Sequence, residues 1–165
     1  MNKLILFILL LTATISSCQL AEPETFILPF GYKGKVMVVF KSDNGEPVQY
    51  ENGRRVYKIP SSGILISQFN TNPGFIEGRF IYTDSTGNHI ILRQVTDIKK
   101  ENFDSEEICV FSYAITGVYG NSGEKNSVTF EEFMVSDSKS LNNYYSQSYQ
   151  KEFDKKLREL VGHDF

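Results

Sequence analysis

A chain of 165 residues can form one domain with a substantial hydrophobic core, but not several such domains. Its formal net charge is −3, and its lysines and arginines are scattered rather than clustered, which argues against nucleic acid as a partner. With only two cysteines, the sequence also excludes the disulfide framework of a small secreted scaffold.

The N-terminal segment has the three parts of a secretory signal. Lys3 supplies positive charge, residues 4–11 form an uninterrupted apolar run, and residues 12–17 are small and mostly polar. A transmembrane helix needs about 20 apolar residues, so this run is too short to span a membrane. We predict that residues 1–17 are a signal peptide.

The end of this segment resembles the lipobox of bacterial lipoproteins, with aliphatic Ile15, two small residues and then Cys18. The resemblance implies cleavage before Cys18 and attachment of fatty acyl chains, such as palmitate, to that cysteine. Two or three chains would hold the protein to a membrane stably, whereas one binds only reversibly. An ordinary secreted protein is the alternative. Gln19 stands where aspartate would favour the inner membrane, so the outer membrane is favoured, and residues 18–25 are expected to form a tether.

Residues 26–165 are predicted to form a single β-rich domain. Short apolar runs alternate with turn residues along most of it, at the spacing of an antiparallel β-sandwich. About nine strands are expected, at residues 24–29, 35–40, 48–51, 54–59, 64–69, 75–82, 89–95, 108–116 and 128–135.

The clearest local signal is the dipeptide Asn52-Gly53. Both positions of a two-residue type I′ turn need positive φ, and Asn-Gly satisfies that requirement. The turn would pair Glu51 with Arg54 and give the hairpin one largely apolar face, which includes Val48, Tyr50, Tyr57 and Ile59.

The periodicity changes near the C-terminus. From Leu141, apolar or aromatic residues recur every four positions through Tyr145, Tyr149, Phe153 and Leu157. This pattern predicts an amphipathic helix over about residues 140–161 that packs on the sheet. A free-standing or oligomerising helix is the alternative. Tyr144 lies off the apolar line, so its ring is expected to be more exposed than that of Tyr145.

Residues 29–69 resemble a family of uncharacterised bacterial lipoproteins that share a β-rich domain of unknown function. The matching features are the opening Pro-x-Gly-Tyr-x-Gly-x-Val-x-Val-x-Phe, the hairpin at Gly53 and Arg54, and the Pro-x-x-Gly-Ile-Leu segment at residues 60–65. Residues 133–141 resemble that family's late strand where it enters a helix. The resemblance implies a small β-rich lipoprotein and supplies no catalytic residues.

Candidate catalytic groups are few. The two histidines, His89 and His163, lie beside a turn and near the C-terminus, where neither is placed for catalysis or metal binding. Cys109 lies in an apolar run and is expected to be a small buried residue rather than a reactive thiol. Glu131 and Glu132 are neighbours on a strand and point to opposite faces, so we expect solvated or edge charges rather than a catalytic pair.

No catalytic, cofactor or metal site is predicted. Residues 43–46 offer oxygen ligands for calcium, but their spacing favours a plain turn. Tyr144, Tyr145 and Tyr149 form a candidate interaction surface, because exposed tyrosines suit contact surfaces. The sequence therefore favours a non-enzymatic envelope lipoprotein that binds an envelope protein or supports an assembly. The alternative is a binder of a small ligand or glycan, and a hydrolase is less favoured.

Overall fold

The computed structural model describes residues 21–74, 76–84, 86–97, 104–121, 123–124 and 126–165. The predicted signal peptide (1–17) and Cys18 lie outside these residues. The described residues form nine strands and two helices: β1 (Glu24–Pro29), β2 (Gly34–Val39), β3 (Tyr50–Glu51), β4 (Arg54–Lys58), β5 (Ile64–Ile66), β6 (Gly78–Thr83), β7 (His89–Val95), β8 (Cys109–Tyr119), β9 (Val128–Ser136), α1 (Leu141–Tyr144) and α2 (Gln147–Val161).

The nine strands form one mixed sheet in the order β3-β4-β1-β6-β7-β8-β9-β2-β5. The predicted number of strands is confirmed, but the prediction of a purely antiparallel arrangement is wrong. β1 runs parallel to both β4 and β6, β2 runs parallel to β5, and β7 runs parallel to β8. Residue alternation along a strand records which face is buried and carries no information about the direction of the neighbouring strand.

The sheet folds over so that its two halves face each other as in a sandwich. Phe26 on β1 and Phe133 on β9 are separated in the strand order by β6, β7 and β8, yet their ring centroids lie 4.9 Å apart. Phe80 on β6 contacts Phe133 at 5.0 Å. This aromatic contact across the interior, with its buried neighbours, forms the main hydrophobic core of the described residues.

The strand predicted at residues 24–29 is confirmed as β1, so the folded part of the chain begins before the predicted domain start at residue 26. β1 starts at Glu24, and the side chains of Glu24 and Thr25 are buried, so the expected tether at residues 18–25 is wrong for its last two residues. Glu22 is also fixed, because its backbone N–H donates to Asn72 Oδ1 at 3.0 Å and its C=O accepts from Asn72 Nδ2 at 2.7 Å.

The predicted type I′ hairpin is confirmed. Asn52 and Gly53 have φ of 50° and 73°, and Glu51 pairs with Arg54. The apolar face is confirmed at Tyr57, which is fully buried, whereas Val48 and Tyr50 are 50% and 52% exposed. β3 is a two-residue strand at the edge of the sheet, so Val48 and Tyr50 lie outside the core and are only partly covered.

The C-terminal helix covers the outer face of the sheet, as predicted. Phe153 and Leu157 of α2 are buried against residues from β2, β5 and β9, including Met37, Ile64 and Phe130. Gly162 ends α2 in the left-handed conformation. No helix in the described part of the chain is both long and apolar enough to cross a membrane.

The prediction of one continuous helix over residues 140–161 is wrong, because the helix breaks after Tyr144. Ser146 has extended backbone angles, and its hydroxyl accepts a hydrogen bond from the Tyr149 N–H, which starts α2 as a new helix. The break shifts the phase of the apolar stripe. Tyr145 is therefore 51% exposed, and Tyr144 is half-buried against the cluster that contains Leu141, so the predicted order of exposure is reversed.

The packing of α2 can be tested by one substitution at two positions. Leu157 is fully buried and Leu160 is 49% exposed. Leu157→Ala should lower the free energy of unfolding by about 2–5 kcal/mol, because it removes a large buried side chain and leaves a cavity. Leu160→Ala is the control and should change it by less than about 1 kcal/mol. Equal losses in urea denaturation would show that α2 does not pack on the sheet through Leu157.

Candidate functional site

The three predicted tyrosines do not form one exposed surface. The Tyr149 hydroxyl accepts a hydrogen bond from the Lys35 N–H at 2.9 Å, and the Tyr144 ring packs edge-on against the Tyr149 ring at 5.1 Å. Tyr145 is exposed, and its hydroxyl lies 3.0 Å from Ser112 Oγ. Two of the rings therefore stabilise the junction between the helices and the sheet, and one faces solvent.

The other residues considered from sequence lie on separate elements of the fold. His89 is the first residue of β7, and His163 follows the end of α2. Cys109 is fully buried, as predicted, and burial raises the pKa of its thiol to about 11, so it is not a reactive thiolate. In the described residues, no three His, Cys, Asp or Glu side chains come together in a group that could hold a metal ion.

The prediction that Glu131 and Glu132 are solvated or edge charges is wrong for Glu131. Glu132 fits the expectation of an edge charge, because it is partly exposed and forms a 2.7 Å ion pair with Lys35. Glu131, however, points into the folded sheet on the same face as Phe133 and is only 1% exposed. Its Oε1 has no hydrogen-bond partner among the described residues. A buried carboxyl in that state is rare in native proteins and calls for an explanation.

Glu24 is the partner of Glu131. Its carboxyl group is fully buried and accepts three hydrogen bonds, from the Asn72 amide at 2.8 Å and from the Tyr57 and Tyr113 hydroxyls at 3.1 Å each. Glu24 lies close enough to Glu131 to raise the Glu131 pKa. Two negative charges held near each other inside a folded sheet are unfavourable, so the pair is expected to hold one proton.

The electrostatics place that proton on Glu131. Burial raises the pKa of both carboxyls, and for Glu131 the nearby Glu24 raises it further, to about 8. Three donors favour the charged form of Glu24, whereas Glu131 has none of them. At neutral pH the pair therefore carries one proton and one negative charge, with Glu131 as the acid.

The backbone of β8 is strained on both sides of Tyr113, whose hydroxyl donates to Glu24. Ser112 and Ala114, on either side of Tyr113, have φ of 55° and 63°, and the ladder between β8 and β9 is interrupted between Phe111 and Ile115. Left-handed φ at two non-glycine residues is unfavourable and is typical of functional sites. On the facing strand, a Cβ at Gly78 would lie 2.6 Å from the Tyr113 ring, so only glycine leaves room for it.

A groove of about 290 Å³ opens above Glu131 at one end of the folded sheet. Thr116 on β8 pairs with Glu131, and Val118 pairs with Thr129, so these four residues face the same side. Phe40 and residues 71–73 complete the wall. The open end of a folded or closed sheet is a frequent ligand-binding position. Here a buried acid, one of whose oxygens has no hydrogen-bond partner among the described residues, lines a largely apolar groove.

The model of a family of unknown function, DUF6843, matches residues 21–145. The chain belongs to the DUF6843 family. No curated protein sequence matches it significantly. The match to DUF6843 contains Glu24, Asn72, Tyr113 and Glu131, so the whole acid pair and its donors lie inside the family's domain, whereas α2 follows it.

Among solved structures, the DUF6843 chain is similar to a proposed lipoprotein from Bacillus anthracis. The TM-score is 0.60 at 13% sequence identity, and the similarity covers 87% of this chain and 95% of the other. At this identity the likeness shows a shared fold. It is consistent with the resemblance to uncharacterised lipoproteins seen in the sequence.

The acid pair predicts an unusual pH dependence of stability. The Glu131 pKa is about 8 in the folded protein against an ordinary value of 4.5, so between these pH values the folded state binds more protons than the unfolded state. The free energy of unfolding should therefore fall as pH rises from about 5 to about 8, by at most about 1.4 kcal/mol per pH unit from this group.

Glu131→Gln should remove most of this slope, because the amide cannot ionise. Glu132→Gln is the matched control on the adjacent residue and should keep it, since Glu132 faces Lys35 outside the pair. Urea denaturation at pH 5, 6, 7 and 8 provides the measurement. Parallel pH profiles for the wild type and Glu131→Gln would contradict a proton shared at this site.

Proposed function

We propose that this protein is a lipoprotein of the bacterial cell envelope, anchored through Cys18, whose β domain binds a small ligand in the groove above Glu131. The buried Glu131 Oε1, to which no described residue donates a hydrogen bond, supports the binding role most directly. Leaving a buried polar atom unpaired costs about 1–3 kcal/mol, and a ligand that contacts it would recover that loss.

Binding without chemistry fits the geometry better than hydrolysis. Hydrolysis by a carboxyl pair needs both groups to face the substrate. Here Glu131 lines the groove, whereas Glu24 is fully buried behind it with its oxygens held by three donors. The described residues that line the groove include no histidine, cysteine or lysine that could act as nucleophile or base.

A short connection would place the groove beside the membrane. Glu22 follows Cys18 by four positions along the chain, and even a fully extended chain of that length spans at most ~14 Å. Glu22 is bound to Asn72, which lines the groove. With Cys18 lipidated, the mouth of the groove would therefore lie near the lipid headgroups. Sorting to the outer membrane, inferred from Gln19, stays a prediction.

A protein-binding module, which the sequence ranked first, is the second candidate. The favouring observation is Tyr145, which is 51% exposed, beside Ile115, which is 47% exposed. Exposed aromatic residues next to apolar ones are frequent anchors of interfaces. We rank this second because the other two tyrosines of the predicted surface make contacts within the domain.

The anchor can be tested with the two cysteines as a matched pair. Cys18→Ser should abolish labelling by a fatty-acid analogue and leave a soluble or uncleaved protein. Cys109→Ser should keep the labelling, because Cys109 is buried in the folded domain. A Cys18→Ser protein that is cleaved and still sediments with membranes would contradict the proposed lipid anchor.

The binding role can be tested with small cationic, neutral and anionic aromatic compounds and methyl NMR. We expect one of these classes to shift the methyl signals of Val118, Thr116 and Thr129, and to leave those of Ile90 on β7 unchanged. Val118→Trp, which fills the groove from its exposed rim, should abolish the shifts. Shifts scattered over the domain, or none from any class, would contradict ligand binding in the groove.

A further inference from the structure

The charges around the acid pair are unbalanced. Arg55 is the cation that interacts electrostatically with both Glu24 and Glu131. Its Nε lies 2.5 Å from Glu22 Oε2, and its Nη1 donates to the Asn70 carbonyl at 2.6 Å. Three carboxyl groups thus share one arginine, which is engaged directly with Glu22. A single proton on the acid pair lowers the remaining negative charge of this group from two to one.

We infer that the groove binds a compact organic cation, an ammonium or guanidinium group on a small apolar body, whose charge takes the place of the proton between Glu131 and Glu24. This inference rests on the proposed binding function and names its ligand class. The proton leaves Glu131 for solvent as the cation enters, so the net charge of the site is unchanged.

The walls of the groove favour an organic cation over a metal ion. Phe40, Pro73 and Val118 present apolar surface to the groove, which suits a hydrocarbon body. Calcium takes six to eight oxygen ligands, whereas the described residues offer no group of three acidic, His or Cys side chains. Glu131 at the floor, with apolar walls above it, instead provides one charged contact and a place for the rest of the ligand.

Binding should depend on pH because the ligand competes with a proton. The titratable or charged groups that act on Glu131 are Glu24 from β1, Arg55 and Tyr57 from β4, and Tyr113 from β8. Burial raises the pKa of both tyrosines, so they stay neutral, and Arg55 stays charged. The group that changes charge near neutral pH is therefore the Glu24–Glu131 pair, and affinity should rise from pH 6 to pH 8.

The test uses the full chain in a non-ionic detergent and three probes of similar shape, benzylammonium, benzyl alcohol and benzoate. Calorimetry in two buffers with different ionisation enthalpies measures the protons released. We expect benzylammonium to bind tightest and, at pH 7, to release roughly one proton per molecule bound. Glu131→Gln should weaken its binding at least about tenfold and abolish the proton release. Glu132→Gln is the matched control and should do neither.

The outcomes separate this inference from the proposed function. Benzyl alcohol or benzoate binding in the groove as tightly as benzylammonium would overturn the cationic class and leave the binding role intact. Displacement of benzylammonium by millimolar calcium would also overturn it, in favour of a metal site. If no probe shifts the Val118 methyl signals, both the inference and the binding role fail. A loss of binding in Glu131→Gln could also reflect a loss of fold. Val118→Trp fills the groove and leaves the acid pair intact, so its effect on binding tests the groove without a change at Glu131.

Discussion

The parallel pairing of β1 with two strands that are distant in sequence determines both the topology of the sheet and the burial of Glu24. β1 lies between β4 and β6, with Glu24 opposite Arg55 on one side and Gly78 on the other. This position makes the sheet mixed and brings Phe26 into the aromatic core. It also brings a carboxyl group inside the sheet at the end where the chain enters. A strand at the edge of the sheet could have left Glu24 in solvent.

Burying two carboxyl groups has an unfavourable desolvation free energy, and their surroundings offset it to different degrees. Glu24 receives an amide and two hydroxyl donors, whereas Glu131 retains a proton and an unpaired oxygen. A well-packed apolar pair at these positions would often be at least as stable. The presence of two buried carboxyl groups is therefore better explained by a role in binding than by a contribution to stability. Strongly shifted carboxyl pKa values are common at functional sites for the same reason.

Local features of the fold were predictable from sequence because they depend on neighbouring residues. The Asn52-Gly53 turn follows from the conformational needs of two positions, and the burial of Phe153 and Leu157 follows from helical periodicity. Strand direction was not predictable, because it depends on pairings between distant segments. The helix break at Ser146 was missed because the apolar spacing continued across it, although serine is a favoured N-cap residue and can mark the start of a new helix.

The acid pair was missed for two different reasons. Glu24 lies where the predicted tether (18–25) and the first predicted strand (24–29) overlap, and a charged residue at that position is expected to face solvent. Glu131 lies in a strand that is buried on both faces, so its apolar residues do not alternate and the glutamate pair looked like an interruption. Counting back by two from Val135 through Phe133 would have placed Glu131 on the interior face. That step required knowing which face was interior, which the contact of Phe133 with Phe26 provides.

Backbone strain, an unpaired acid and an open groove coincide at one end of the sheet. The strained residues Ser112 and Ala114 hold Tyr113 against Glu24, and Gly78 leaves the space that its ring occupies. Each feature alone has a structural explanation, since bulges also shape sheets and tyrosines also fill cores. The Tyr113 ring also packs against Phe26 and Phe80 in the core, but core packing alone does not account for its hydroxyl donating to the buried Glu24 carboxyl. The fold maintains this arrangement against its local preferences, which is the behaviour expected of a binding site rather than of a core.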